Sequence, residues 1–184
     1  MNKHVLFNLI KTRIQTTVTP EFIKSTRTAK GNTQVSERII IAKIKENFDE
    51  LKLSYEEAGS QQSKDFRNIG GIGSNIEVKK TDNTTIYFND TCPSDDIYYI
   101  ILFTGKEYKL KSMIGKNIPP QLCFLHGSQF LKDATWINDY ITDLTALKDK
   151  YARGENKKNL TGLMSVYPRP TFKADISSFL KPSK

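Results

Sequence analysis

The chain has 184 residues, of which 38% are hydrophobic and 26% charged, with a formal net charge of +8. That length suits one domain with its own core and leaves little room for a second, and the composition excludes a disordered chain. So basic a balance favours an anionic partner, of which nucleic acid is the commonest for such a domain. No stretch approaches the ~20 apolar residues of a membrane span. The two cysteines, Cys92 and Cys123, have no metal-ligand spacing, and residues 1–10 carry no secretory pattern. The expectation is a cytoplasmic chain with free thiols.

In chain order, residues 4–16 place Val5, Leu6, Leu9, Ile10 and Ile14 at helical spacing. Pro20 opens a further short turn. Residues 27–33 are polar and read as a loop. A longer helix follows, capped by Ser36, with the apolar stripe Ile40, Ile44, Phe48 and Leu51. Glu37, Glu46, Glu50 and Glu57 lie off that stripe, and Gly59 with residues 60–63 ends the helix.

The period then changes. Residues 65–69 are strand-like, and Gly70, Gly71 and Gly73 supply a tight turn. Residues 75–81 alternate, Ile76 and Val78 on one face, Glu77 and Lys79 on the other. A third strand covers 84–88. The apolar run 97–103 suits a strand buried on both faces. Residues 121–125 form another strand after Pro119 and Pro120. A second long helix spans 129–151 with Leu131, Ile137, Ile141 and Leu144 inward, and a short apolar helix lies near 176–180. Helix, strands, helix predicts an α/β or α+β fold with a mixed central sheet flanked by helices.

Chemistry concentrates in Asp65 and Glu77-Val78-Lys79. In a hairpin turning about Gly71, Asp65 and Glu77 fall opposite each other, with Cβ atoms about 4.5–5.5 Å apart. Two such carboxylates suit a hard cation such as Mg²⁺. Lys79, two residues on, shares the face of Glu77 and can touch a water or a phosphate. Phosphodiester hydrolysis needs these parts: a metal to activate water and a cation to stabilise charge. The competing reading is a solvated strand face with an ordinary Glu77–Lys79 ion pair.

Lys64-Asp65-Phe66 followed by Ile76-Glu77-Val78-Lys79-Lys80-Thr81 resembles the signature of the PD-(D/E)XK nucleases, a superfamily with many type II restriction endonucleases and some resolvases. Phe88-Asn89-Asp90-Thr91-Cys92-Pro93 before an apolar strand also resembles small restriction enzymes. The resemblance covers residues 36–103, and one departure is Lys64 in place of proline. It implies a restriction-endonuclease-like fold, one nuclease domain over 1–184 with a catalytic core at about 36–125, and Mg²⁺-dependent, sequence-specific cleavage of double-stranded DNA. Asp65, Glu77 and Lys79 would be catalytic, and Asp65 and Glu77 would hold the metal. Glu37 from the preceding helix is the candidate third ligand, with Glu46 and Glu50 as competitors. A homodimer, each subunit reading half a palindrome, is implied as well.

Several further positions are candidate DNA contacts. They are Lys80 beside the motif, Asn89, Asp90 and Thr91 at a strand exit, Lys106, Lys109 and Lys111 in a basic stretch, and Arg169 in a proline-flanked tail. Asn89 to Thr91 serve equally as turn-formers before Pro93, and the lysines as a solvated loop. His4 and His126, far apart and without a partner at metal spacing, are not expected to bind zinc. The glycines 70, 71 and 73 lack the Gly-Lys-Ser/Thr and the helix of a nucleotide loop. The rivals are a structure-specific resolvase or repair nuclease, a non-catalytic basic DNA-binding protein, and a structural protein carrying the motif by chance.

Overall fold

The structure, a computed structural model, describes residues 1–27, 33–57, 64–89, 92–105, 118–130, 135–152 and 171–182. Helix α1 (Lys3–Thr17) is opened by Asn2, whose side chain accepts the Val5 N–H at 2.9 Å. Its spacing buries Leu6, Ile10 and Ile14, while Val5 and Leu9, at the margin of the same apolar set, are exposed. Pro20 begins α2 (Pro20–Ser25) behind the Thr19 cap, where a missing N–H costs nothing. Helix α3 (Thr33–Glu50) buries Ile40, Ile44 and Phe48 of the expected stripe, and Leu51, just past its end, packs half-buried against the same core.

Two details of α3 correct the sequence reading. Ser36 is not its cap: the helix already runs at Thr33, and Ser36 is buried within its first turns. Nor does α3 reach Gly59. Lys52 adopts a left-handed conformation (φ 54°), and the N–H groups of Lys52 and Leu53 return to the carbonyls of Asp49 and Phe48, both at 2.9 Å. This is the usual two-bond helix stop, with lysine where glycine normally sits. Glu57 consequently lies in a strand.

The strands are β1 (Glu56–Glu57), β2 (Phe66–Ile69), β3 (Ser74–Thr81), β4 (Thr85–Asn89), β5 (Ile97–Phe103), β6 (Gln121–His126) and β7 (Thr171–Asp175). A five-stranded sheet runs β1-β2-β3-β5-β6, with β3 and β5 parallel and the other neighbours antiparallel. The chain is therefore α/β with a mixed central sheet and helices. All of β5 is buried. Tyr98, Ile100 and Leu102 pack with α1 and α3 on one face, while Tyr99, Ile101 and Phe103 pack against β4 and the C-terminal segment on the other. A continuous apolar run is the consequence of that double burial.

Strand β4 stays out of the central sheet and pairs antiparallel with β7, Phe88 opposite Phe172. The sequence reading had no strand at 171–175, and its helix at 176–180 is a 3₁₀ turn at Ser177–Phe179. Helix α4 (Thr135–Ala152) starts later than residue 129, because Gly127–Gln129 forms its own 3₁₀ turn. Leu131 lies outside the described residues, as do the side chains of Ile137 and Ile141, and Leu144 is half-buried. Among the described residues no helix is long and apolar enough to cross a membrane.

Candidate active site

The β2–β3 hairpin brings the motif together through its register. Phe66 pairs with Ile76, so Asp65 and Glu77, one step beyond on each strand, face one another. Phe66 and Ile76 are buried in the helix-side core. Strand alternation turns Glu77 to the other side of the sheet, where its ladder partner on β5 is Tyr99. The β2–β3 ladder ends at this pair while β3 runs on to Thr81. The next β3 donor on the bared edge, the Val78 N–H, is taken by Asp65 Oδ2 at 2.7 Å. Asp65 is thereby held against the strand by one oxygen. Lys79 Nζ forms an ion pair with Glu77 Oε1 and lies 5.3 Å from the Phe88 ring centre. The structure thus unites Asp65, Glu77 and Lys79, and the Glu77–Lys79 ion pair forms too.

Electrostatics mark Asp65. Burial pushes its carboxyl up to about 6; the nearby charges of Glu77 and Glu37 add to this, while the Val78 N–H and Lys79 oppose it. Burial likewise raises the Tyr99 phenol, whose oxygen accepts the Ser94 N–H at 3.2 Å. A carboxylate raised by burial and by like charge is the state that a bound cation relieves.

Glu37 lines a cleft of about 220 Å³ with Ile40, Ile41, Val78, Lys79 and Lys80. Its competitors are paired elsewhere, Glu46 with Lys43 on α3 and Glu50 with Arg13 of α1. At 1.5 Å per residue, Glu46 is about 13 Å further along the helix. Of the three, Glu37 is the one beside the motif. However, among the described residues no three His, Cys, Asp or Glu side chains form a metal-holding group, so Glu37 does not complete a three-carboxylate centre with Asp65 and Glu77.

Lys80, expected at the DNA backbone, is directed into the protein. Its ammonium donates to the Thr26 carbonyl at 3.2 Å and to Ser36 Oγ at 2.7 Å. It ties the end of α2 and the start of α3 to β3, and so holds the Glu37 turn beside the site. Lys80→Met removes both bonds next to buried Thr26 and Ser36. The expected loss is about 1–3 kcal/mol, read as a lowered midpoint in urea with an unchanged slope.

Spacing gave no hint of Asp96. The residue before Asp65, Lys64, has φ 83°, and its Nζ lies 2.6 Å from Asp96 Oδ2. Asp96 also accepts from Asn75 Nδ2 at 3.2 Å and from Ser94 Oγ. Burial alone would raise the Asp96 carboxyl, but Lys64, Ser94 and Asn75 hold it below the usual carboxylate range. This hub joins the entries to β2, β3 and β5. The only local sign of it is the polar run before an apolar strand. Of the other expected contacts, Asn89 ends β4 opposite Thr171. Asp90, Thr91, Lys106, Lys109, Lys111 and Arg169 lie outside the described residues.

The donor set fits Mg²⁺ in kind. It is all oxygen, with Asp65 Oδ1 and Glu77 Oε2 beyond the bonds named above. Mg²⁺ commonly takes one or two carboxylates and completes its shell with water and substrate phosphate. No family model matches the chain, and neither does any curated protein or solved structure.

Proposed function

We propose that the chain is a type II restriction endonuclease of the PD-(D/E)XK kind, hydrolysing phosphodiester bonds of double-stranded DNA with Mg²⁺. One observation carries this reading: Asp65 and Glu77 face each other across the β2–β3 hairpin, with Lys79 on the face of Glu77. When bound, Mg²⁺ supplies Lewis-acid stabilisation of charge on the phosphoryl oxygens and eases deprotonation of the attacking water. Asp65 and Glu77 would hold the cation, and their carboxylates would orient the water for in-line attack on phosphorus. The bond to the 3′ oxygen breaks, leaving a 5′-phosphate and a 3′-hydroxyl. Lys79 moves from Glu77 toward the scissile phosphate and stabilises the negative charge that develops there. The net charge of +8 assists capture of the DNA backbone. A two-fold homodimer working in the cytoplasm would cut both strands of a palindrome.

Digestion of unmodified plasmid and phage DNA tests the reading. Discrete fragments that appear with Mg²⁺ and vanish with EDTA are expected. Lys79→Ala is expected to lower the cleavage rate by about 10²–10³-fold or more while the chain remains folded and still shifts DNA in a gel. A fully active Lys79→Ala chain removes that lysine from the mechanism. Selective cutting of branched DNA favours a structure-specific nuclease. Binding indifferent to Mg²⁺, with no nicks, points to a non-catalytic binder.

A further inference from the structure

The chain has two histidines, and the fold brings them together although their spacing separates them. Helix α1 lays its first turn over β5, where His4 Nδ1 lies 2.8 Å from the Tyr98 hydroxyl. Tyr98 pairs across the ladder with His126, at the end of β6. The two imidazole centres are 5.8 Å apart. Two histidines sharing one ion through nitrogens at about 2.0–2.1 Å bring their ring centres about 5–6 Å apart, so the observed separation is of the right size.

The hydrogen bonding also suits ligand histidines. Each ring engages its Nδ1, His4 with the Tyr98 hydroxyl and His126 with Ser128 Oγ at 2.7 Å. Such a bond holds the ring's orientation, and in the tautomer that donates Nδ1–H to the hydroxyl oxygen it leaves Nε2 as the ligand nitrogen. His4 is exposed and His126 half-buried, so both are open to solvent. Tyr98 belongs to the helix-side core, whereas Glu77 lies on the face of Tyr99. The pair is thus separate from the carboxylate site.

We propose that His4 and His126 form a second cation site, selective for a borderline transition ion of the Zn²⁺ or Ni²⁺ type, with water completing the shell. Imidazole nitrogens select such ions, while oxygen donors select Mg²⁺. The ion clips the first turn of α1 to the end of β6, joining segments from the two halves of the chain. Because it binds the folded chain, it raises thermal stability in proportion to its occupancy.

The test is equilibrium dialysis and thermal melting of the full chain, stripped with chelator and titrated with Zn²⁺ or Ni²⁺. Uptake and melting are read in the Asp65→Asn background, with the histidine and tyrosine substitutions added to it, so that the carboxylate pair makes no contribution. One ion per chain is expected, with a raised Tm that Mg²⁺ does not reproduce. His4→Gln and His126→Gln each abolish the uptake, and Tyr98→Phe weakens it about 10-fold or more through the lost orienting bond. In the unsubstituted chain, Ni²⁺ broadens the ring NMR signals of both histidines at the lowest additions, a readout independent of how the variants fold. No saturable uptake, uptake that survives either glutamine substitution, or broadening of one ring alone overturns the proposal. None of these readouts depends on DNA cleavage, so the site and the nuclease reading fail or stand separately.

Discussion

Asp65→Asn is expected to do two opposite things: lower Mg²⁺-dependent DNA cleavage on the order of 10³-fold and make the protein more stable at pH 7–8. The first follows from its proposed part in holding the cation. The second follows from its carboxyl, raised from the ordinary 3.8 to about 6. Between those two values the folded chain keeps a proton that the unfolded chain has lost. Stability therefore falls as pH rises through this window, and above about 6 the full cost of the buried charge remains. Asparagine removes the charge, and its amide oxygen still accepts the Val78 N–H. Melts without divalent cation are expected to show the variant above the parent at pH 8 and the two converging below about 4. Mg²⁺ raises the parent Tm but not that of the variant. A variant that gains nothing at pH 8 contradicts a buried, charged Asp65. Such opposition of stability and activity is common where a site holds like charges together.

Gly127→Ala is expected to cause the largest loss of stability. A Cβ at residue 127 would stand 1.8 Å from the Ser94 carbonyl oxygen and 2.4 Å from its carbon. These are backbone atoms and have no rotamer by which to yield. The loss is expected to reach about 3 kcal/mol or more, a Tm fall of about 6–12 °C for a chain of this size. The displaced residue is also functional in this scheme. The Ser94 N–H meets the Tyr99 hydroxyl and Ser94 Oγ meets Asp96, the residue that anchors Lys64 beside Asp65. The same substitution should therefore weaken Mg²⁺ uptake, measured by calorimetry on the fraction that remains folded. Gly71→Ala is the contrast, since its added methyl meets nothing within 4 Å and the cost is the left-handed backbone alone, about 1–2 kcal/mol. Equal losses from the two substitutions would remove the Ser94 contact as the cause.

By itself the sequence determined the main inward stripes, though not their margins at Val5 and Leu9, and what stands opposite what within a hairpin. The spacing of Leu6, Ile10 and Ile14, the stripe Ile40, Ile44 and Phe48, and the double burial of residues 97–103 all appear where their periods put them. The facing of Asp65 and Glu77, with Lys79 beside them, was legible for the same reason. A strand alternates with a period of two, and a short turn leaves few registers that keep Phe66 and Ile76 in the core. Tertiary structure decided what depends on distant segments. The stop of α3 at Lys52 needed a lysine in a glycine-like conformation, sustained by Leu53 packing against the core. Strand β7 exists because β4 offers it an edge, which nothing in residues 171–175 announces. Lys80 faces inward because buried acceptors from α2 and α3 await it, and Lys64 finds Asp96, as His4 finds His126, only once the sheet has closed. Local period carries the direction of each side chain, but partners far apart in sequence are chosen by the packing of the whole chain.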